Sequence, residues 1–265
     1  GKNNLHVMAQ GNRPWEREEF ILVLNLYYKL PFGRLNRTTK EVKELARLLN
    51  RSDNSIALRL VNFAACDPYI RETGRHGMMS GMKQCQPYWD EFSNDREKLL
   101  FESERILASL QGTTVEQKYN ITQQDLTDFV GEEVIREVAT RVNQSVFREK
   151  VLSNYEYKCA LTGIDIQPLL VASHIIPWSK NKEERLNPSN GICLSTLYDT
   201  AFDKGYIGFD SNYKVILSSK LMENQDKSYY DHYFGCIEGS RLTLPYEFKP
   251  DIHFLEWHMD EVFLR

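Results

Sequence analysis

Four side chains in the second half of the chain have the types and spacing to do chemistry together: His174, Asn190, Asp199 and Asp203. The two aspartates are four residues apart, so on a helix they face one side of one turn. Paired carboxylate oxygens suit a hard divalent cation such as Mg2+ or Mn2+. A histidine beside that cation could take a proton from water near neutral pH. The cation would stabilise charge on a scissile phosphate and on the leaving oxygen.

These groups need elements to hold them. The pattern predicts a hairpin with strands over 158–162 and 169–174 and a turn over 163–168, its second strand ending on His174. A polar loop leads to Asn190-Gly191, and a short helix within 194–203 presents Asp199 and Asp203. Further β-like runs lie at 206–209 and 213–217. Upstream, 131–155 reads as a helix on which Arg136, Arg141, Gln144 and Arg148 form one stripe. Directly before such a core, that stripe is a candidate contact for phosphates.

The text around these residues is more telling than their types. It reads CALTG at 159–163, ASHIIPW at 172–178, NPSNGICL at 187–194 and AFDKG at 201–205, in that order. Together these pieces resemble the HNH nuclease family. The lead-in QSVFREKVLSNYEYKCALTG and the ending FLEWHMDEVF are similar to its bacterial restriction-type branch. The resemblance implies a ββα-metal fold with one divalent ion between hairpin and helix, and a DNA endonuclease activity. It places His174 as the general base and Asn190 as the residue that braces the loop and orients the histidine. Many relatives read Leu-His-Asp where this chain reads Leu197-Tyr198-Asp199. Tyr198 therefore stands in the third catalytic place, and since a neutral phenol is a poor metal ligand, Asp199 or Asp203 is expected to bind the metal.

The first half reads as helical. A helix is predicted over 14–30, with Pro14 in its first turn. Thr38 or Thr39 caps a second helix, and Asn54 or Ser55 caps a third that ends before Pro68. Two short helices joined by a tight turn form a helix-turn-helix-like unit. Arg51, Asn54, Ser55 and Arg59 then lie where such units reach base edges or phosphates. Residues 69–87 read as an ordered loop and 89–110 as another helix. The expected fold class is α+β, with a mainly helical domain at 8–112 for DNA recognition, a linker at 113–130 and the HNH domain at 131–265. The residues before Met8 read as a vector remnant. The amino-terminal half also resembles that of restriction-type HNH proteins, which implies recognition of DNA, methylated or otherwise modified. A flipped base would stack on aromatics such as Tyr69, Tyr88 or Trp89.

Bulk properties narrow the classes. The net charge of −4 argues against a uniformly basic coat, but charge is segmented. Residues 29–83 carry eleven Lys/Arg against five Asp/Glu, whereas 84–133 carry four against eleven. The basic block is where a phosphate backbone could sit. The five cysteines form no C-x-x-C pair, so neither a structural zinc nor a disulfide framework is expected. No apolar run approaches membrane-span length, and no secretory signal is visible, so a cytoplasmic protein without membrane contact is expected. Partners are double-stranded DNA and a second copy, because one HNH site cuts one strand and a two-fold dimer matches a palindrome. Two other readings remain: a DNA-binding protein with a degenerate HNH fold, and a nuclease activated by a partner or ligand.

Overall fold

The computed structural model describes residues 13–72 and 80–265, and the chain is α+β. The chain divides into two compact units, at Val142/Asn143. The stretch 113–130 lies inside the first of them. It carries the short helix α7 and a 3-10 turn, Gln124–Leu126, whereas a connecting linker was expected there. The expected vector remnant and part of the expected 69–87 loop lie outside the described residues.

The first unit is built from α1 (Arg17–Lys29), α2 (Lys40–Leu49), α3 (Asp53–Cys66), α4 (Pro68–Glu72), α5 (Met82–Phe92), α6 (Arg96–Leu110) and α7 (Val115–Lys118). Pro14 precedes α1 rather than opening it. Glu16 and Glu19 form a reciprocal capping box that starts the helix at Arg17. The α2–α3 turn closes on Asn50 in the left-handed region, and Ser52 caps α3 by accepting from the Ser55 amide. The cap is thus earlier than the expected Asn54 or Ser55. The helix expected over 89–110 is two helices, because the Asp95 side chain caps a fresh start at Arg96. The expected loop over 69–87 gives way to α5 from Met82 onward. Phe20, Leu24, Ile56, Leu60, Phe63, Phe92 and Leu99 form the core of this unit.

A 23-residue helix, α8 (Glu132–Asn154), runs through the boundary. Its last three turns belong to the second unit, where Phe147, Val151 and Leu152 enter the core. That unit continues with β1 (Leu170–His174), β2 (Gly191–Ser195), α9 (Thr196–Asp203), β3 (Ile207–Phe209), β4 (Val215–Leu217), α10 (Ser219–Met222), α11 (Tyr230–Tyr233) and α12 (Ile252–Glu261). The strand that pairs with β1 is β2, antiparallel, with His174 opposite Gly191. This corrects the expected hairpin: 158–162 forms no strand, and its Cys159–Gly163 stretch closes a tight turn instead. The reason lies in Gly191–Ser195. Every residue of that strand is buried, so the run was ambiguous between a buried strand and the start of the helix. The chain turns straight from β2 into α9, and β3 and β4 form a second antiparallel pair. The result is two strands followed by one helix, with the loop 175–190 between the strands.

Candidate active site

His174 ends β1, and its ring is sandwiched by the protein. Phe147 of α8 stacks on it at 4.0 Å between ring centroids, almost parallel, and Trp178 meets it edge-on at 5.6 Å. The close approach of Phe147 depends on Gly191. A Cβ there would lie 2.8 Å from the Phe147 ring and 2.5 Å from a Val151 methyl. Only glycine lets α8 pack this near the strand pair, so the glycine after Asn190 serves packing under the histidine.

The imidazole Nε2 lies 2.8 Å from the Arg185 carbonyl oxygen. A carbonyl only accepts, so Nε2 carries the proton and Nδ1 keeps the lone pair. Burial pushes the pKa of His174 below its ordinary value, against the opposing effects of the Arg185 carbonyl and the Asp199 carboxylate. The ring is therefore neutral at pH 7, in the state a proton acceptor requires.

Asn190 does not touch the ring. It is fully buried, with Oδ1 accepting from the Ile176 amide at 2.9 Å and Nδ2 donating to the Ile176 carbonyl at 3.0 Å. Its backbone carbonyl accepts from Ile175 at 2.9 Å. The side chain thus imitates one more ladder step, clamping both ends of the loop just beyond His174. Arg185, on that loop, donates to the Trp178 carbonyl and lies over the Trp178 ring at 4.5 Å.

Asp199 and Asp203 share one side of α9, as expected. The pKa of Asp199 is raised by burial, with Ser173 and His174 pulling the other way. That of Asp203, whose side chain reaches solvent, is raised by its protein surroundings and then by the charge of Asp199. The Ser173 hydroxyl is buried and makes no hydrogen bond of ordinary length among the described residues. A carboxylate whose charge is disfavoured by a neighbouring one, as Asp203 is by Asp199, is the arrangement a cation relieves. Among the described residues no three His, Cys, Asp or Glu side chains converge tightly enough to enclose a metal ion alone. A Mg2+-like ion fits such a sparse set, since it takes one or two carboxylates and completes its shell with water and phosphate oxygens.

Tyr198 is corrected. Its side chain is buried in the core of this unit, and its hydroxyl donates to the Tyr233 carbonyl at 2.7 Å. On a helix the neighbouring position points about 100° away, so a buried Tyr198 leaves Asp199 on the His174 side. The tyrosine anchors α9 rather than joining the chemistry. On the same helix, Phe202 stacks on His258 of α12 at 3.9 Å and its carbonyl lies 2.8 Å from His258 Nε2.

The candidate DNA contacts fare unequally. Arg51 is corrected: its side chain is buried, donating to Glu19 at 2.7 and 3.0 Å and to the carbonyls of Arg13 and Pro14. It holds the entry to α1 and is spent on the core. Asn54 is exposed in the first turn of α3, and Ser55 is half-buried. Arg59 lies over the rings of Trp15 and Phe20. On α8, Arg136 lies 3.6 Å from Glu132, and Arg141 faces Glu137 and Asp125. Gln144 is exposed. Arg148 donates to the carbonyls of Leu170 and Gln167, bracing the start of β1. The stripe is thus partly neutralised and partly structural. Phe147, Gly191 and the Arg185 carbonyl were missed as supports of His174. Spacing gives no signal for a backbone carbonyl, which any residue supplies.

Residues 159–210 match the family model described as HNH endonuclease. The match spans β1, the clamped loop, β2, α9 and β3. No curated protein matches the chain. The match, which lies in the second unit, suggests a nuclease with DNA as its substrate.

Proposed function

We propose that the chain is a metal-dependent DNA endonuclease in which His174 is the general base. The observation that carries this reading is the Arg185 carbonyl on Nε2, which fixes the tautomer that keeps the lone pair on Nδ1, while burial favours the neutral ring. His174 takes a proton from water at Nδ1 as the water oxygen bonds to phosphorus and one P–O ester bond breaks. The leaving oxygen takes a proton from solvent as His174 releases its own to solvent, and Phe147 and Trp178 keep the ring in place throughout. A divalent ion held by Asp199 and Asp203 would supply stabilisation of negative charge on the scissile phosphate and leaving oxygen. Asn190 is a positioning residue, acting through the loop that carries Arg185.

The restriction-type resemblance supports a role in cutting DNA according to its sequence or methylation, with the first unit reading the target and a homodimer cutting both strands. The test is plasmid digestion with Mg2+ or Mn2+, using matched methylated and unmethylated DNA. Wild type nicks in the presence of metal, and His174→Ala loses on the order of 10²–10⁴-fold in rate. One observation favours a second reading, a DNA-binding protein with a degenerate site: Tyr198 leaves the third motif position without a ligand. Absence of wild-type cleavage on every substrate and metal would establish that reading instead.

A further inference from the structure

A second cleft with its own chemistry lies in the first unit, where Trp15, before α1, meets α3 and α5. It has a volume of about 530 Å3, inside the range of small-ligand sites, and no aspartate or glutamate lines it. Its walls carry Arg59, Lys83, Gln84, Trp15 and Tyr88.

Arg59 stands out among the cations that line this cleft. Most cations of this unit are matched: Arg51 and Arg13 by Glu19, Arg17 by Glu91, Lys43 by Asp53 and Lys118 by Glu104. Arg59 is half-buried and has no carboxylate partner among the described residues; it rests on Trp15 and Phe20 and hydrogen-bonds the Cys85 thiol. A partly desolvated guanidinium without a counter-charge is a ready anion site, and its planar fork matches phosphate oxygens. Lys83 adds a second, exposed cation on the same cleft, also without a carboxylate partner among the described residues. Beside them, Tyr88 and Trp15 offer half-buried aromatic surface, and the Gln84 amide offers one donor and one acceptor edge for a base.

We propose that this cleft binds a nucleotide, with its phosphate on Arg59 and Lys83 and its base against Tyr88, Trp15 and Gln84. The nucleotide comes either from a DNA strand or from a free nucleoside monophosphate. Only the first source rests on the DNA-reading role proposed for this unit, and neither depends on His174.

The test is calorimetric titration of the full chain without divalent metal. The probes are the four deoxynucleoside monophosphates, a short single-stranded oligonucleotide and inorganic phosphate. Lys83→Glu, on an exposed residue, weakens nucleotide or oligonucleotide binding about tenfold or more, the size expected for loss of a charged phosphate contact. Arg59→Gln, checked for folding by circular dichroism, weakens it at least as much. Monophosphates that bind with this sensitivity assign the free source, and binding by the oligonucleotide alone with the same sensitivity assigns the strand. Inorganic phosphate binding as tightly as the nucleotides overturns the base contact. Absence of binding, or affinities unchanged by Lys83→Glu, overturns the site; should Arg59→Gln not fold, Lys83→Glu decides alone.

Discussion

Asn190→Ala is expected to unfold the second unit's loop clamp and to cost far more than an ordinary polar truncation. The Asn190 side chain satisfies both the N–H and the C=O of Ile176, and all of these groups are buried. Removing it orphans two backbone groups, each worth roughly 1–3 kcal/mol when left unpaired, so the total is about 2–5 kcal/mol. For a unit of this size that corresponds to a fall in Tm on the order of 10 °C. Asn190→Asp separates the two bonds. An ionised carboxylate still accepts from the Ile176 amide but faces its carbonyl with no proton to donate. A protonated one donates to the carbonyl and accepts from the amide, as the native amide does. The variant's folded pKa is thus raised above its unfolded value. Its clamp is present below that unfolded pKa and is lost as pH rises through the folded one. Denaturant unfolding of wild type and both variants from pH 5 to 8 measures this. The Asp variant's deficit relative to wild type should shrink toward pH 5, whereas the Ala variant's deficit should not. An Ala variant within about 1 kcal/mol of wild type, or an Asp variant with a deficit independent of pH, would refute the clamp.

Gly191→Ala should destabilise by roughly 1–3 kcal/mol through overpacking against Phe147 and Val151 in denaturant unfolding, and should slow DNA cleavage by displacing the ring under His174. Arg51→Ala should cost about 2–3 kcal/mol in thermal or denaturant unfolding, because the buried Glu19 carboxylate loses its two charged hydrogen bonds from Arg51 and keeps only Arg13 and the Glu16 amide. Burial alone pushes the Glu19 pKa up, but the hydrogen bonds from Arg51 and the Glu16 amide, with the charges of Arg51 and Arg13, bring it below its usual range; weakened DNA binding with unchanged stability would contradict this placement. Burial lowers the pKa of His258 to about 4 from the ordinary 6.5, so its contribution is complete above pH 6.5 and is lost as pH falls toward 4. That amounts to about 2–3 kcal/mol between pH 7 and 4.5, and His258→Phe should flatten the difference by that amount in urea titrations.

The uneven legibility of the sequence follows from what each signal reports. Ordered motif text located β1, the clamped loop and α9 because those residues are constrained by one compact unit, and Asp199 and Asp203 fell on one side because helical spacing is a local rule. Strand pairing is not local. GICLS is buried on both faces, so its periodicity carried no strand signature, and the partner of β1 could be assigned only once the chain between 175 and 190 was seen to fold back through Asn190. Charge was legible as composition but not as fate. Arg51, Arg59, Arg141 and Arg148 look alike in sequence, yet one is sealed on Glu19, one lies on two rings, one is matched by two carboxylates and one braces a strand. The Tyr198 substitution shows the same limit from the other side. A motif position invites a catalytic role, but a phenol beside an apolar core lowers its energy by burying its ring and giving its proton to a carbonyl, and the Tyr233 backbone provides one. That leaves Asp199, about 100° round the same turn, as the residue of the Leu-Tyr-Asp triplet that His174 senses electrostatically. The chemistry of this site therefore turns on how α9 is rotated, and Tyr198, Phe202 and His258 set that rotation.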